Sequence, residues 1–251
     1  MKFQLPFLGL LLFFCMACPR LPDAPPNEIE FIILQMNDVY EIAPLEGGKA
    51  GGLARVAHIR KELLKENPNV ISILSGDFLS PSFMGNLKQA NGEKIAGLQM
   101  VETLNALGLD YVTFGNHEFD LGDPDLLQGR IDASTFEWTV CNALRVKDGN
   151  KAPFTQAGKA IPEYIIHEIS RADGTKFKLG FLGVLLPFNQ AEYVHYLPVE
   201  ETFKAKLEEM KEQTDMVLAI THLEIDEDIE LAKKKSGNTT LPWRARSCQH
   251  E

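Results

Sequence analysis

The segment FGNHEFD, at residues 114–120, places an amide, an imidazole and two carboxylates directly after an apolar run. Three of its side chains, Asn116, His117 and Asp120, could bind a cation or carry a proton. Amide and carboxylate oxygens and imidazole nitrogens are common ligands of divalent metals, and imidazole is the commonest general acid or base. The segment therefore raises metal ligation and proton transfer as its candidate chemistry.

Three other stretches carry similar groups. LQMNDVYE contains Asp38, ILSGDF contains Asp77 and LAITHLE contains His222. Each is weak evidence alone, because an aspartate after a strand often forms a turn and a lone histidine often belongs to the core. Together with Asn116, however, each directly follows a predicted strand, and the carboxyl ends of strands in open α/β sheets face the ligand crevice. We expect the four side chains to converge there, and their mixed ligand types suit Zn, Mn, Fe or Mg.

The elements that would position these groups follow from hydrophobic periodicity. Short apolar runs alternate with amphipathic segments from Glu28 onward, which is typical of βαβ units and a mainly parallel sheet. Strands are predicted at 30–36, 70–74, 111–114, 136–140 and 215–220, and helices at 51–67, 95–108, 124–133, 198–214 and 227–235. Residues 163–170 and 176–185 flank the turn-rich RADGT, which predicts an antiparallel hairpin.

Composition limits the partners. The chain has 251 residues, 25 basic and 35 acidic side chains and a formal net charge of -10, so a nucleic-acid polymer is not expected to be its partner. Two cysteines of the body of the chain, Cys141 and Cys248, are too few for a disulfide framework, and Cys141 is predicted to be a buried thiol. His58, His167 and His195 are predicted to be surface or packing residues.

The first residues have the pattern of an export signal. Lys2 is followed by an apolar stretch from Leu5 to Met16 that is short for a membrane-spanning helix. We predict a signal peptide at 1–17, with Cys18 as the lipid attachment site of a bacterial-type lipoprotein, and a Pro-rich tether at 18–29. The predicted location is a bacterial membrane, on the periplasmic or the outer side. Simple secretion and an uncleaved anchor are the alternatives.

Five stretches occur in an order that resembles a known family. LQMNDVYE, GGLAR, SGDFLSPS, GNHEFD and THLEIDEDIELAKK resemble the catalytic domain of the 5'-nucleotidase branch of the calcineurin-like metallophosphoesterases, over residues 30–234. The resemblance implies an αββα sandwich with mostly parallel central strands and an antiparallel hairpin. It also implies two divalent metal ions and hydrolysis of nucleotides or other small phosphate esters by an activated hydroxide.

Metal-ligand roles are carried over position by position. The resemblance implies that Asp38 binds the first metal, that Asp77 bridges both, and that Asn116 and His222 bind the second. A bridging carboxylate is physically reasonable because its negative charge offsets the repulsion between two neighbouring cations.

Three further roles concern residues around the metals. The resemblance implies that His117 protonates the leaving oxygen and that Asp120 orients the His117 ring. Tyr40 stands where the family pattern more often has histidine. It is either a further ligand or a residue that only lines the site.

The resemblance to the family ends before one of the family's metal-binding motifs. After the helix ending near Lys235 the resemblance predicts another strand and a GGH-x-H turn, whereas the sequence reads SGNTTLPWRARSCQHE. We therefore predict an incomplete catalytic domain at 30–235 and an atypical tail at 236–251. The alternatives to a nucleotidase are a general phosphodiesterase of the same superfamily, a non-catalytic fragment and a surface-binding lipoprotein.

Overall fold

A computed structural model describes residues 28–171, 173–188 and 191–233. The predicted signal peptide 1–17, Cys18, the tether up to residue 27, the last residues of the final predicted helix and the tail 236–251 with Cys248 lie outside this part of the chain. The strands are β1 (Ile32–Met36), β2 (Val70–Leu74), β3 (Tyr111–Val112), β4 (Glu137–Trp138), β5 (Ala143–Lys147), β6 (Asn150–Ala152), β7 (Thr155–Gln156), β8 (Lys159–Ala160), β9 (Tyr164–Ser170), β10 (Lys176–Leu185), β11 (Val194–Tyr196) and β12 (Met216–His222). The helices are α1 (Leu53–Glu66), α2 (Leu98–Leu107), α3 (Pro124–Ala133), α4 (Val199–Lys211) and α5 (Ile225–Lys233).

The first sheet is parallel and follows the order β1-β2-β3-β4. Strand β2 is buried along its whole length, and its side chains alternate between two cores. Ile71 and Ile73 contact the second sheet, whereas Leu74 packs with α2 and α3. This period of two follows from the pleat of the strand, so a continuous apolar run here indicates a strand covered on both faces.

The second sheet contains β9, β10 and β12. Strand β10 pairs antiparallel with β9 and parallel with β12, so the hairpin predicted around RADGT is confirmed. Ile165, Phe181 and Ile220 of this sheet face the first sheet, and Leu182 and Val217 face α4. The layers are therefore helix, sheet, sheet and helix, which confirms the predicted αββα sandwich.

Helix ends follow local sequence signals. Helix α2 ends at Leu107 and is capped by Gly108, which adopts a left-handed conformation (φ 83°) that glycine reaches at little cost. Helix α3 begins with Pro124 after Asp123, whose side chain accepts a hydrogen bond from the Asp125 N–H group.

Several strand boundaries differ from the predictions. Strands β3 and β4 have only two residues each, because the chain leaves the ladder after Val112 and Trp138. Strand β12 extends to His222, so this residue ends the strand and does not follow it. The small sheet β11-β5-β6 and the pair β7-β8 were not predicted, since all of their strands except β5 have only two or three residues, too few to show a periodic pattern.

Candidate metal centre

Asp38 and Asp77 lie on neighbouring loops at the carboxyl ends of β1 and β2. The Asp38 N–H group donates to the Gly76 carbonyl (3.3 Å), and the Ser75 N–H group donates to the Met36 carbonyl (2.9 Å). Both aspartates have left-handed backbone conformations, with φ of 54° and 58°. Such a conformation costs an L-residue about 1–2 kcal/mol, so the surrounding contacts must hold it in place.

The side chains of three predicted ligands meet at this edge. One ligand atom each of Asp38, Asp77 and His222 lies within 4.8 Å of the other two. Asn116 joins them, because its Oδ1 atom is 3.0 Å from Nε2 of His222. The convergence expected from the four strand ends is therefore present in the structure.

His222 is held in one orientation by its other ring nitrogen. Nδ1 lies 2.6 Å from the carbonyl oxygen of Ser75, which can only accept, so Nδ1 carries a proton and donates. Nε2 then faces oxygen atoms of Asn116 (3.0 Å) and Asp77 (3.3 Å). This arrangement is typical of metal-binding histidines, whose second nitrogen is fixed by a backbone carbonyl.

In the absence of a metal ion, a proton on the His222 ring supplies the positive charge beside Asp77. Burial lowers the pKa of His222, but the hydrogen bond to Asp77 and its charge outweigh burial and raise the pKa to about 9. Burial of Asp77 raises its pKa, but its contacts with His222, the His117 N–H group and Tyr40 outweigh burial, so the pKa is lowered. Without a metal these two residues form an ion pair.

Tyr40 lies at the same cluster. Its hydroxyl donates to Asp77 Oδ2 (2.9 Å) and is 3.3 Å from Asp38 Oδ1. Burial, followed by the charge of Asp77, raises the pKa of Tyr40. The phenol is therefore neutral here and acts as a hydrogen-bond donor to the carboxylates.

His117 and Asp120 form a pair beside the cluster. Nδ1 of His117 is 2.6 Å from Asp120 Oδ2, and the ring meets Tyr40 edge to face at 6.2 Å between centroids. Burial lowers the pKa of His117, but Asp120 and the nearby carboxylate of Asp77 outweigh it, so the pKa is raised. The His117 backbone N–H group also donates to Asp77 Oδ1 (2.8 Å).

Two glycines allow the loops to approach each other. A Cβ atom at Gly76 would overlap the backbone of Gly115, and one at Gly115 would overlap the carboxylate of Asp77. Both positions need glycine because of close approach, and Gly76 also has a left-handed φ of 78°.

Glu118 is the residue that the sequence analysis missed. Its carboxylate is completely buried and accepts hydrogen bonds from the N–H groups of Gly115 (2.6 Å), Asp77 (2.8 Å), Phe78 (2.8 Å) and Leu79 (3.1 Å). Glutamate is rarely fully buried, so its contacts with the loops of two strands indicate a specific role. The sequence signal for Glu118 was its position inside the GNHEFD segment. Residue type alone, however, does not show which of the two carboxylates in this segment, Glu118 or Asp120, points into the protein.

The donor set fits divalent metal ions. Asp38 and Asp77 offer carboxylate oxygens, Asn116 an amide oxygen and His222 an oriented imidazole nitrogen. Such mixed oxygen and nitrogen ligation suits Zn, Mn or Fe, with Mg more limited to oxygen. The cluster also contains buried negative charge, which a cation would offset.

The other histidines that the structure describes and the buried Cys141 lie apart from this cluster. His58 is exposed on α1, His167 is 2.7 Å from the Tyr111 hydroxyl, and His195 is 3.2 Å from Lys151 Nζ. Cys141 is buried, as predicted, and burial raises the pKa of its thiol to about 12. Within the part of the chain that the structure describes, no helix is long and apolar enough to cross a membrane.

Known structures with the same fold include proteins named as nucleotidases. The chain superimposes on a 5'-nucleotidase precursor from Thermus thermophilus with a TM-score of 0.64, at 21% identity, covering 80% of this chain and 39% of that one. It superimposes on NAD nucleotidase from Haemophilus influenzae with a TM-score of 0.64, at 20% identity, covering 81% and 40%. These similarities establish the fold.

Relatives by sequence are longer than this chain. The trifunctional nucleotide phosphoesterase YfkN of Bacillus subtilis is 26% identical over 196 residues, which is 71% of this chain and 13% of that protein. The venom 5'-nucleotidase of Gloydius brevicauda is 25% identical over 250 aligned positions, which covers 88% of this chain and 40% of that one. The sequence model described as calcineurin-like phosphoesterase matches residues 31–243, the segment that contains every residue of the cluster. Because the match extends over most of the 251 residues, the chain belongs to the calcineurin-like phosphoesterase family.

Proposed function

We propose that this protein hydrolyses phosphate esters of nucleotides with two divalent metal ions. Calcineurin-like phosphoesterases have a centre of two metals, and the chain belongs to that family. The observation that carries the proposal is the meeting of Asp38, Asp77 and His222 within 4.8 Å, beside the pair of His117 and Asp120. The two carboxylates and the imidazole of the first group can bind cations, and the pair of His117 and Asp120 can transfer a proton.

Asp38, Asp77, Asn116 and His222 would hold the metals, with Asp77 in the bridging position. When bound, the metals supply an activated water and neutralise the phosphoryl oxygens. Tyr40 either binds one of them or keeps its hydrogen bond to Asp77 and lines the site. The Ser75 carbonyl keeps Nε2 of His222 available by holding the proton of Nδ1.

His117 would act on the substrate and would not hold the metal. Asp120 fixes Nδ1 at 2.6 Å and favours the charged ring, which leaves Nε2 to give a proton to the leaving oxygen. The backbone N–H group of His117 is bonded to Asp77, so the acid and the bridging carboxylate are held at a fixed separation.

The direct test is metal-dependent turnover by the purified 251-residue chain. The chain is incubated with Mn or Zn and with p-nitrophenyl phosphate, a 5'-nucleotide or a 2',3'-cyclic nucleotide, and a matched sample contains excess EDTA. Support for the proposal is EDTA-sensitive hydrolysis of a nucleotide, to nucleoside and phosphate from the 5'-nucleotide or to a nucleoside 2'- or 3'-phosphate from the cyclic nucleotide, and p-nitrophenol release reports general phosphatase activity. Absence of turnover with any metal, by a chain that is folded, would contradict it.

A cyclic-nucleotide phosphodiesterase is the second candidate. The relative from Haemophilus influenzae named 2',3'-cyclic-nucleotide 2'-phosphodiesterase/3'-nucleotidase is 26% identical over 198 residues, which is 74% of this chain and 28% of that protein. The same metal cluster would serve both substrates. Faster turnover of the cyclic nucleotide than of the 5'-nucleotide would favour this candidate.

We also propose export with lipid attachment at Cys18, followed by the tether and the catalytic domain at 30–235. The support is the sequence of the first twenty residues, with Lys2, the apolar stretch and a small residue before Cys18. Expression in a bacterial host with labelled fatty acid tests it. Labelling of the wild type that Cys18→Ser abolishes is the expected result, and equal labelling of both would contradict the proposal.

A further inference from the structure

We propose that Glu118 is a positioning residue for the metal centre, because it fixes the loop that carries Asp77 relative to the loop that carries Asn116. The inference rests on the proposed metal site but concerns a side chain that would touch neither metal nor substrate. It assigns a role to the charged residue between His117 and Phe119.

The contacts of Glu118 join two separate loops. Oε1 accepts from Phe78 (2.8 Å) and Leu79 (3.1 Å), and Oε2 accepts from Asp77 (2.8 Å) and Gly115 (2.6 Å). The first three donors follow β2, and the fourth follows β3 much later in the chain. Each carboxylate oxygen therefore accepts hydrogen bonds from the loop after β2, and Oε2 also accepts one from the loop after β3.

Three successive N–H groups converge on this carboxylate. Left-handed conformations at Gly76 and Asp77 turn the N–H groups of residues 77–79 to one side, as in the backbone concavities that bind anions. Here the carboxyl group of Glu118 occupies this concavity. Burial and the charge of Asp77 raise the pKa of Glu118, whereas the N–H groups of Phe78, Asp77 and Leu79 favour its ionised form. The loop after Asp77 is therefore held by an internal ligand, and these amides are not available to a substrate phosphate.

This clamp determines where the Asp77 side chain points. Because the Asp77 N–H group is bound to Glu118, its carboxylate extends toward Tyr40, His222 and the His117 N–H group. Without Glu118, four buried N–H groups lose their acceptor and the left-handed turn loses its support. Asp77 and Asn116 would then move relative to each other, which weakens metal binding, as usual when a partner behind the ligands is lost.

Arg130 provides a matched control. It is also a buried charged residue that binds successive backbone groups, since Nε donates to the Ala96 carbonyl (2.8 Å) and Nη2 to the Ile95 carbonyl (2.9 Å). The segment it holds contains no proposed ligand. Arg130→Gln therefore reports on disruption of a buried clamp as such. Glu118→Gln replaces one accepting oxygen with an NH2 donor, so two of the four N–H groups lose their acceptor, and it reports on disruption of the clamp at the metal loops.

Calorimetric titration of Mn into the full chain tests the inference, with the unfolding temperature of each metal-free variant measured in parallel. Glu118→Gln is expected to weaken Mn binding about 10- to 100-fold, and Arg130→Gln to leave it within about 2-fold even when both lower the unfolding temperature equally. Unchanged Mn affinity in Glu118→Gln would overturn the inference. An equal loss in Arg130→Gln would also overturn it, because the effect would then be one of stability alone.

Hydrogen exchange of the wild type covers the case in which Glu118→Gln does not fold. The amides of Asp77, Phe78, Leu79 and Gly115 are expected to be protected in the metal-free chain, more than the amides of the exposed loop residues at 90 and 91. Exchange of these four at the rate of that loop would overturn the inference. Failure of the wild type to bind Mn would instead refute the proposed function, while the protection pattern would still decide whether Glu118 holds the two loops together.

Discussion

Gly115 lies so close to Asp77 that a Cβ atom at position 115 would come well within 3.0 Å of the Asp77 carboxylate. Position 115 therefore requires glycine, because any larger residue would overlap the side chain of the proposed bridging ligand, Asp77. This relationship connects the second and third strand ends of the first sheet, and it explains why the amide-bearing loop can approach the aspartate.

Gly115→Ala is expected to displace the Asp77 side chain and to weaken Mn binding at least about 10-fold. Gly122→Ala is the control, because a Cβ atom there would meet nothing within 4 Å and the residue lies further along the same segment. Calorimetric titration of both variants gives the comparison. Equal Mn affinities for the two would show that Asp77 is not needed where the structure places it.

His117→Ala is expected to keep metal binding and to lose turnover. The side chain would supply a proton and not a ligand, a role worth about 10²–10⁴ in rate. His58→Ala, which changes an exposed histidine on α1, should leave both quantities unchanged. Steady-state rates and Mn titrations separate the effects, and a loss of metal from His117→Ala would place this residue among the ligands.

Asp228 gives a prediction about pH. Burial raises the pKa of this carboxyl to about 6, so the folded state binds a proton more tightly than the unfolded state. The charged form therefore costs stability at neutral pH, and this cost disappears as the pH falls through the raised pKa toward the ordinary carboxyl range.

Asp228→Asn should accordingly stabilise the metal-free chain at pH 8, by about 1 kcal/mol after allowance for partial exposure. Thermal unfolding in EDTA at about pH 8 and about pH 4 measures the effect, and the two proteins should differ only at the higher pH. The same difference at both values would mean that the charge of Asp228 is not its cause.

Cys141 should be unreactive in the folded protein. Its thiol is buried, and burial raises its pKa to about 12, so little thiolate forms near pH 8. Iodoacetamide should modify the peptide containing Cys141 only after denaturation, as followed by mass spectrometry. Modification at the same rate before and after denaturation would show that this region opens readily.

Sequence patterns predicted the alternation of strands and helices because the central strands are continuous apolar runs, whereas the αββα sandwich was expected from the family resemblance. Runs such as 70–74 and 176–185 matched the observed strands residue for residue. The predicted runs 111–114 and 136–140 were too long, since an apolar run does not show where the ladder ends and the loop begins. At Thr113, for example, the backbone N–H group still bonds to Leu74, but the chain has already turned toward the site.

The candidate site was predictable to the extent that residue type reveals chemistry. Asp38, Asp77, Asn116 and His222 were selected because each carries a ligand atom near a strand end, and the structure brings them together. Glu118 was not selected, because its role depends on hydrogen bonds from backbone N–H groups. Nearly every residue has such a group, so the sequence does not show which ones meet Glu118. The roles of the individual ligands remain predictions that metal binding must test.

Mn titration of the wild type against Asp77→Asn tests the central claim most directly. Asp77 is the proposed bridge between two cations, and the amide keeps its shape but removes the charge that offsets their repulsion. We expect the wild type to bind Mn and to hydrolyse a phosphate ester with it, and Asp77→Asn to lose metal and turnover together while it remains folded. The same Mn stoichiometry and affinity in Asp77→Asn as in the wild type would contradict the account.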